Sequence, residues 1–308
     1  MVFQPDRRAG IASSLIILLV ILSIQALVLI DIFGQRLGPG QYLTAVLFLL
    51  TLPVLALWAY WFYQLCTLSY LLSRDALTIR CGWFERVVPL RLVERCVEGS
   101  EVAADAHLHG VSWPGFVRGH MHLRGLGRVR VYSTAPLGQQ LIVVCNRAAE
   151  GDLADEELDL TVSISPRDQE LFLKTLQARR DMGPLHNVEP GLVWRGVAAW
   201  PVWRDRLFWT LALSALVLGV ALYGLLALRY RALPTRLPLH FGRDQLADRI
   251  GLKQELLIVP AIGSLVTLVN GVLAIVVHRH ERLAALLLSS GSLGIVALSW
   301  VALVGLIY

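Results

Sequence analysis

Long apolar runs and short alternating stretches divide this chain into blocks. Ile11–Ile32 is apolar apart from Ser13, Ser14, Ser23, Gln25 and the terminal Asp31. Tyr42–Tyr63, Leu207–Leu228, Leu256–Val277 and Leu283–Tyr308 repeat the pattern, the last with its span at 283–306. Each matches the roughly 20 apolar residues that cross a hydrocarbon core about 30 Å thick, so five helical spans are predicted. Arg7 and Arg8 precede the first run as they would in a signal peptide. The run is too long for an h-region and no small-x-small site follows Asp31, so a retained anchor is expected. Gly34, Gly38, Pro39 and Gly40 predict a tight turn between the first two spans, and Pro53 a kink in the second.

From Thr67 the period shortens. Leu77–Cys81 and Arg86–Leu90 flank Gly82-Trp83, which reads as a hairpin turn. Val93–Val97, Phe116–His122, Gly127–Ser133, Gln140–Asn146 and Leu158–Ile164 follow at the spacing of an antiparallel all-β module. Within Arg128–Tyr132, Val129 and Val131 take one face and the two arginines the other. A closing helix is expected with Ser165 as N-cap, Pro166 at its first position and Phe172, Leu173 and Leu176 on its apolar side. The domain plan is a helical hairpin (1–65), a β-rich soluble domain (66–180), a linker (181–206) and a three-helix region (207–308) with a loop at 229–254. Trp200, Trp203 and Trp209 beside Arg204 and Arg206 suit a membrane interface. The fold class is α+β: five membrane helices plus an antiparallel barrel or sandwich capped by a helix.

Composition sharpens this. Apolar residues make up 56% of the 308 and charged residues 17%, well under the roughly 25% of soluble domains. The net charge of +5 lies outside the β-rich domain, because residues 64–206 hold 17 basic and 17 acidic side chains. A domain that binds nucleic acid is itself basic, so nucleic acid is excluded as a partner. Cys66, Cys81, Cys96 and Cys145 show no metal-finger spacing and read as small buried apolar residues.

No nucleophile elbow, zinc-protease helix or phosphate loop is present, so no catalytic residue and no cofactor are expected. Ionisable residues avoid the middles of the spans, which argues against ion-coupled transport. Gly263, Thr267 and Gly271, and Ser290 and Gly294, repeat every fourth residue and predict close helix packing. His278-Arg279-His280-Glu281 reads as interfacial charge. His107 and His109, and His120 and His122, each place two imidazoles on one strand face; they are weak metal candidates, and a partly exposed polar face accounts for them. Residues 106–149 carry Arg118, Arg124, Arg128, Arg130 and Arg147 with no acid, whereas 150–159 carry six acids and no base. The first four arginines form a candidate docking surface for lipid headgroups or an acidic protein segment. The loop from Glu150 to Asp159 is a candidate shield for it, or a partner site.

Two stretches carry a resemblance. Ser69–Ile79, with Val87-Val88-Pro89-Leu90 and Val93-Glu94-Arg95, resembles the opening strands of bacterial pleckstrin-homology-like domains. Gly110–Gly115 leading to Gly127–Arg130 is similar to a longer version of that family, over about residues 66–180. Pro234, Pro238, His240 and Phe241, followed by Asp248 and Gly251, resemble the external loop of a domain of unknown function found in SdpI-type bacterial membrane proteins. Together these imply a non-enzymatic binding, scaffolding or signalling protein of the bacterial inner membrane. A subunit of a small-molecule or peptide transporter is the alternative. The expected partners are the lipid bilayer and another membrane or cytoplasmic protein, with homo-oligomers possible. With Arg7 and Arg8 inside, the domain is cytoplasmic, and nine basic residues near span ends face in against seven facing out.

Overall fold

The computed structural model describes residues 1–35, 37–102, 107–146, 160–241 and 247–307; for 239–241 and 247–249 only the backbone is described. The chain divides into two compact units, Met1–Ser23 with Pro53–Ala199 and Ile24–Leu52 with Trp200–Tyr308.

The first unit begins with β1 (Val2–Phe3) and contains the outer parts of two long helices, α1 (Arg8–Gly34) and α2 (Pro39–Thr67). Then come β2 (Ser69–Leu72), β3 (Ala76–Cys81), β4 (Phe84–Pro89), β5 (Val93–Glu98), the one-turn α3 (Gly99–Val102), β6 (His107–Trp113), β7 (Phe116–Leu123), β8 (Gly127–Ser133), β9 (Leu141–Cys145), β10 (Val162–Ile164), α4 (Gln169–Asp181) and β11 (Gly191–Trp194). Two sheets form, in the orders β1-β2-β3-β4-β11 and β5-β9-β10-β8-β7-β6. The Gly82-Trp83 turn joins β3 to β4 as expected, with Gly82 at φ 63°.

Tyr70, Leu77, Ile79 and Phe84 from the first sheet share one core with Phe116, Leu141, Val143 and Ile164 from the second. Phe172 and Leu176 of α4 close it; burying each contributes about 1.5–3 kcal/mol. Met121, Leu123, Val129, Val131, Ile142 and Val144 form a separate cluster on the other face of the second sheet.

The unit differs from the sequence reading in more than the added strands β1 and β6. The sheet is not wholly antiparallel, because β10 lies between β9 and β8 and runs parallel to β8, pairing Ser163 with Val131. The closing helix starts at Gln169, not at Pro166, and is capped by Asp168, whose carboxylate accepts from the Leu171 N–H at 2.9 Å. Ser165 is not the cap because its hydroxyl accepts from the Thr134 N–H at 2.8 Å. Residues 181–206 also do more than connect: β11 adds to β4, and Arg195 meets Glu85 at 2.7 Å.

The second unit contains α5 (Arg206–Arg229), the hairpin β12 (Arg236–Phe241) and β13 (Ala247–Leu252), α6 (Ile258–Val277) and α7 (Arg282–Ile307). Among the described residues, five helices are long and apolar enough to cross a membrane: α1, α2, α5, α7 and α6 with the 3-10 turn before it. The expected close packing along the small-residue stripes is realised only in part. A Cβ at Gly263 would meet the Ser299 hydroxyl at 3.1 Å, but Gly271 and Gly294 face open space.

Candidate docking face

Strand register gathers most of the candidates. In β7, Arg118, His120 and His122 point to one side, as alternate residues of a strand must. Cross-strand pairing sets His109 beside His120 and His107 beside His122 on β6. On β8 it sets Tyr132, Arg130 and Arg128 beside the same three β7 residues. The His109 and His120 rings stack at 5.3 Å with 12° between planes. All four histidines and three of the four arginines thus share one face of three adjacent strands. Arg124 sits in the β7–β8 turn, where Gly125 and Gly127 adopt positive φ.

The face is graded from inside to outside. Arg118 turns inward, donates to the Gln64 side-chain oxygen of α2 and lies 4.7 Å from the centre of the Phe84 ring. Beside it the buried Arg86 donates to the Tyr132 hydroxyl at 3.0 Å. His120, Arg128 and Arg130 are half-buried, whereas His107, His109 and His122 are exposed. Among the described residues no three His, Cys, Asp or Glu side chains are placed to share a metal ion. Arg147 and the acidic run Glu150–Asp159 lie outside the described residues.

The far end of the β6–β7 hairpin is fixed to the helices of its own unit. The Ser13 hydroxyl donates to the Pro114 carbonyl at 2.7 Å, and Trp113 packs on Trp58 at 5.0 Å and on Phe116 at 4.6 Å. Arg7 donates to the Leu68 carbonyl. The face is therefore carried by a strand pair seated directly on α1 and α2.

In the second unit, Asp205 caps α5, accepting from the Leu207 and Phe208 N–H groups at 3.1 and 3.3 Å. Arg282 reaches it at 2.6 Å and the buried His278 at 2.9 Å. The Arg282 and His278 hydrogen bonds hold its carboxyl well below the usual carboxylate range. Sequence reasoning placed His278 in a charged loop and passed over Asp205. The signal was an Asp immediately ahead of an apolar run.

The residues expected to form an external loop lie on or beside the β12–β13 hairpin. Pro234 precedes it, Pro238 pairs with Ile250, and Gly251 with Leu237. The register steps from His240–Arg249 to Phe241–Ala247, leaving Asp248 in a bulge. The side chains of His240, Phe241 and Asp248 lie outside the described set.

Residues 68–180 match the family model of the bacterial PH domain. This matched segment holds β2–β10, α4 and the whole basic and histidine-rich face. No curated protein and no solved structure matches the chain.

Proposed function

We infer that this chain is a non-enzymatic, multi-pass protein of the bacterial inner membrane whose PH domain, at the cytoplasmic face, binds an acidic segment of a partner protein. The observation that carries this reading is the shared face of β6–β8, where Arg128, Arg130 and four histidines stand on strands anchored to the first two apolar helices. A surface of this kind steers an acidic partner by long-range attraction and fixes its register. The five apolar helices and the SdpI-like loop at 229–254 support the membrane assignment.

The test is affinity purification of the tagged full-length protein from native membranes, alongside a variant with Arg128→Glu and Arg130→Glu. A protein recovered with the wild type, lost from the variant and displaced by salt supports the reading. Recovery of the same proteins with both overturns it, provided that both chains fold alike.

A further inference from the structure

The second unit has an open cleft of about 590 Å³ between α5 and α6, with α7 behind it. Gly219 of α5 and Gly263 and Gly271 of α6 line it, and a Cβ at Gly219 or Gly271 would meet nothing within 4 Å. The hydroxyls in its wall are already engaged, Thr267 with the Gly263 carbonyl at 2.8 Å and Ser264 with the Tyr223 hydroxyl at 3.4 Å. Nothing there asks for a polar solute. From Pro260 to Ile275 the wall runs about 22 Å at 1.5 Å per residue, more than the roughly 15 Å half-thickness of a hydrocarbon core. One acyl chain from one leaflet fits that length.

The end of the cleft is cationic. Ile275 and Trp209 line it and, like Trp200, pack against the buried cluster of Val202, Phe208, Ala274 and Ala285, and the Arg279 guanidinium lies 4.7 Å from the Trp200 ring centre. Arg206 is exposed, one helical turn before Trp209. Asp205, the buried acid at this end, is already taken by Arg282 and His278, and Glu281 is exposed. Arginines beside an aromatic-rimmed apolar slot suit a phosphodiester whose chain lies in the slot.

We propose that the α5–α6 cleft is a binding site for an anionic glycerophospholipid, one acyl chain lying along Gly219, Gly263 and Gly271 and the phosphate meeting Arg206 and Arg279. The proposal rests on the membrane-embedded reading of these helices.

The test uses full-length protein in mild detergent, incubated with phosphatidylglycerol or phosphatidylcholine mixed micelles, washed and examined by native mass spectrometry. The wild type is expected to retain about one phosphatidylglycerol per chain and less phosphatidylcholine. Gly219→Leu with Gly271→Leu puts side chains into the cleft at positions where a Cβ meets nothing within 4 Å, and should cut retention at least fivefold. Arg206→Gln with Arg279→Gln should abolish the preference for the anionic lipid. Equal retention by the cleft-filled variant overturns the proposal, as does Gly271→Cys cross-linking to another helix in native membranes. Alkaline carbonate separates the two failures: protein stripped from membranes by it refutes the embedded reading itself, whereas protein that stays embedded but retains no lipid refutes only the site.

Discussion

Gly10 of α1 and Gly115 of the β6–β7 turn leave no room for a side chain between them. A Cβ on Gly115 would lie 2.1 Å from the Gly10 nitrogen, and one on Gly10 would lie 2.3 Å from the Gly115 carbonyl oxygen. Gly115 also holds φ at +85°, which costs an L-residue about 1–2 kcal/mol before any collision. Gly115→Ala is therefore expected to lower the thermal midpoint more than Gly125→Ala, which shares the positive φ (+80°) but faces open space. Melting curves of the detergent-solubilised protein check the order, and equal losses would show that the contact contributes nothing.

Arg118 belongs to the framework that carries the face. Arg118→Ala removes its bond to Gln64, a buried side chain whose amide nitrogen has no partner among the described residues. It also removes the contact with the Phe84 ring. The two losses are worth about 2–3 kcal/mol together. Arg118→Lys, which keeps a cation beside the Phe84 ring but not the guanidinium bond, should lose less. Chemical denaturation of both variants measures the difference.

Burial pushes the Cys81 thiol up to about 12 and the Cys96 thiol up to about 11, Cys81 despite the opposing pull of Arg118. The thiolate is the reactive form, so at pH 8 neither is expected to react with a maleimide in the folded protein. Both should label rapidly in denaturant. Peptide mapping after a timed pulse distinguishes the sites, and fast native labelling at Cys81 would contradict the burial.

The carboxyl of Asp205 titrates below its ordinary value, so it stabilises the fold above about pH 4 and loses that contribution as pH falls through the depressed folded value. Asp205→Asn removes this term. The variant is expected to melt lower near neutral pH and to show a flatter acid-side decline than the wild type. Midpoints from pH 7 to pH 3 test this; parallel curves would mean that Arg282 and His278 do not hold the charge.

What the residues disclosed locally agrees with what formed locally. The Leu207–Leu228 run lies inside Arg206–Arg229, the Gly82-Trp83 turn is a hairpin, and Val129 and Val131 are buried opposite Arg128 and Arg130. The failures are all of long range. Nothing near Val162 announces that it will lie parallel to Arg130, since that pairing depends on the chain passing β9 first. Ser165 looked the better cap until Thr134, 31 positions away, claimed its hydroxyl. The histidine pairs were visible one strand at a time, but their stacking needed the register set by the Trp113–Phe116 closure. Asp205 found His278 and Arg282 across 73 and 77 residues, a separation beyond any local pattern.

The strand Val2–Phe3 pairs with Tyr70 and Leu71, on the far side of two long apolar helices, and the opposite edge of the same sheet is supplied by Gly191–Trp194. During synthesis Val2 and Phe3 must therefore wait for both helices to emerge before they find this neighbour. The sheet is finished only when residue 194 has left the ribosome. At about 5–20 residues per second that is a delay of roughly ten seconds or more, so both apolar helices are made well before the domain can close.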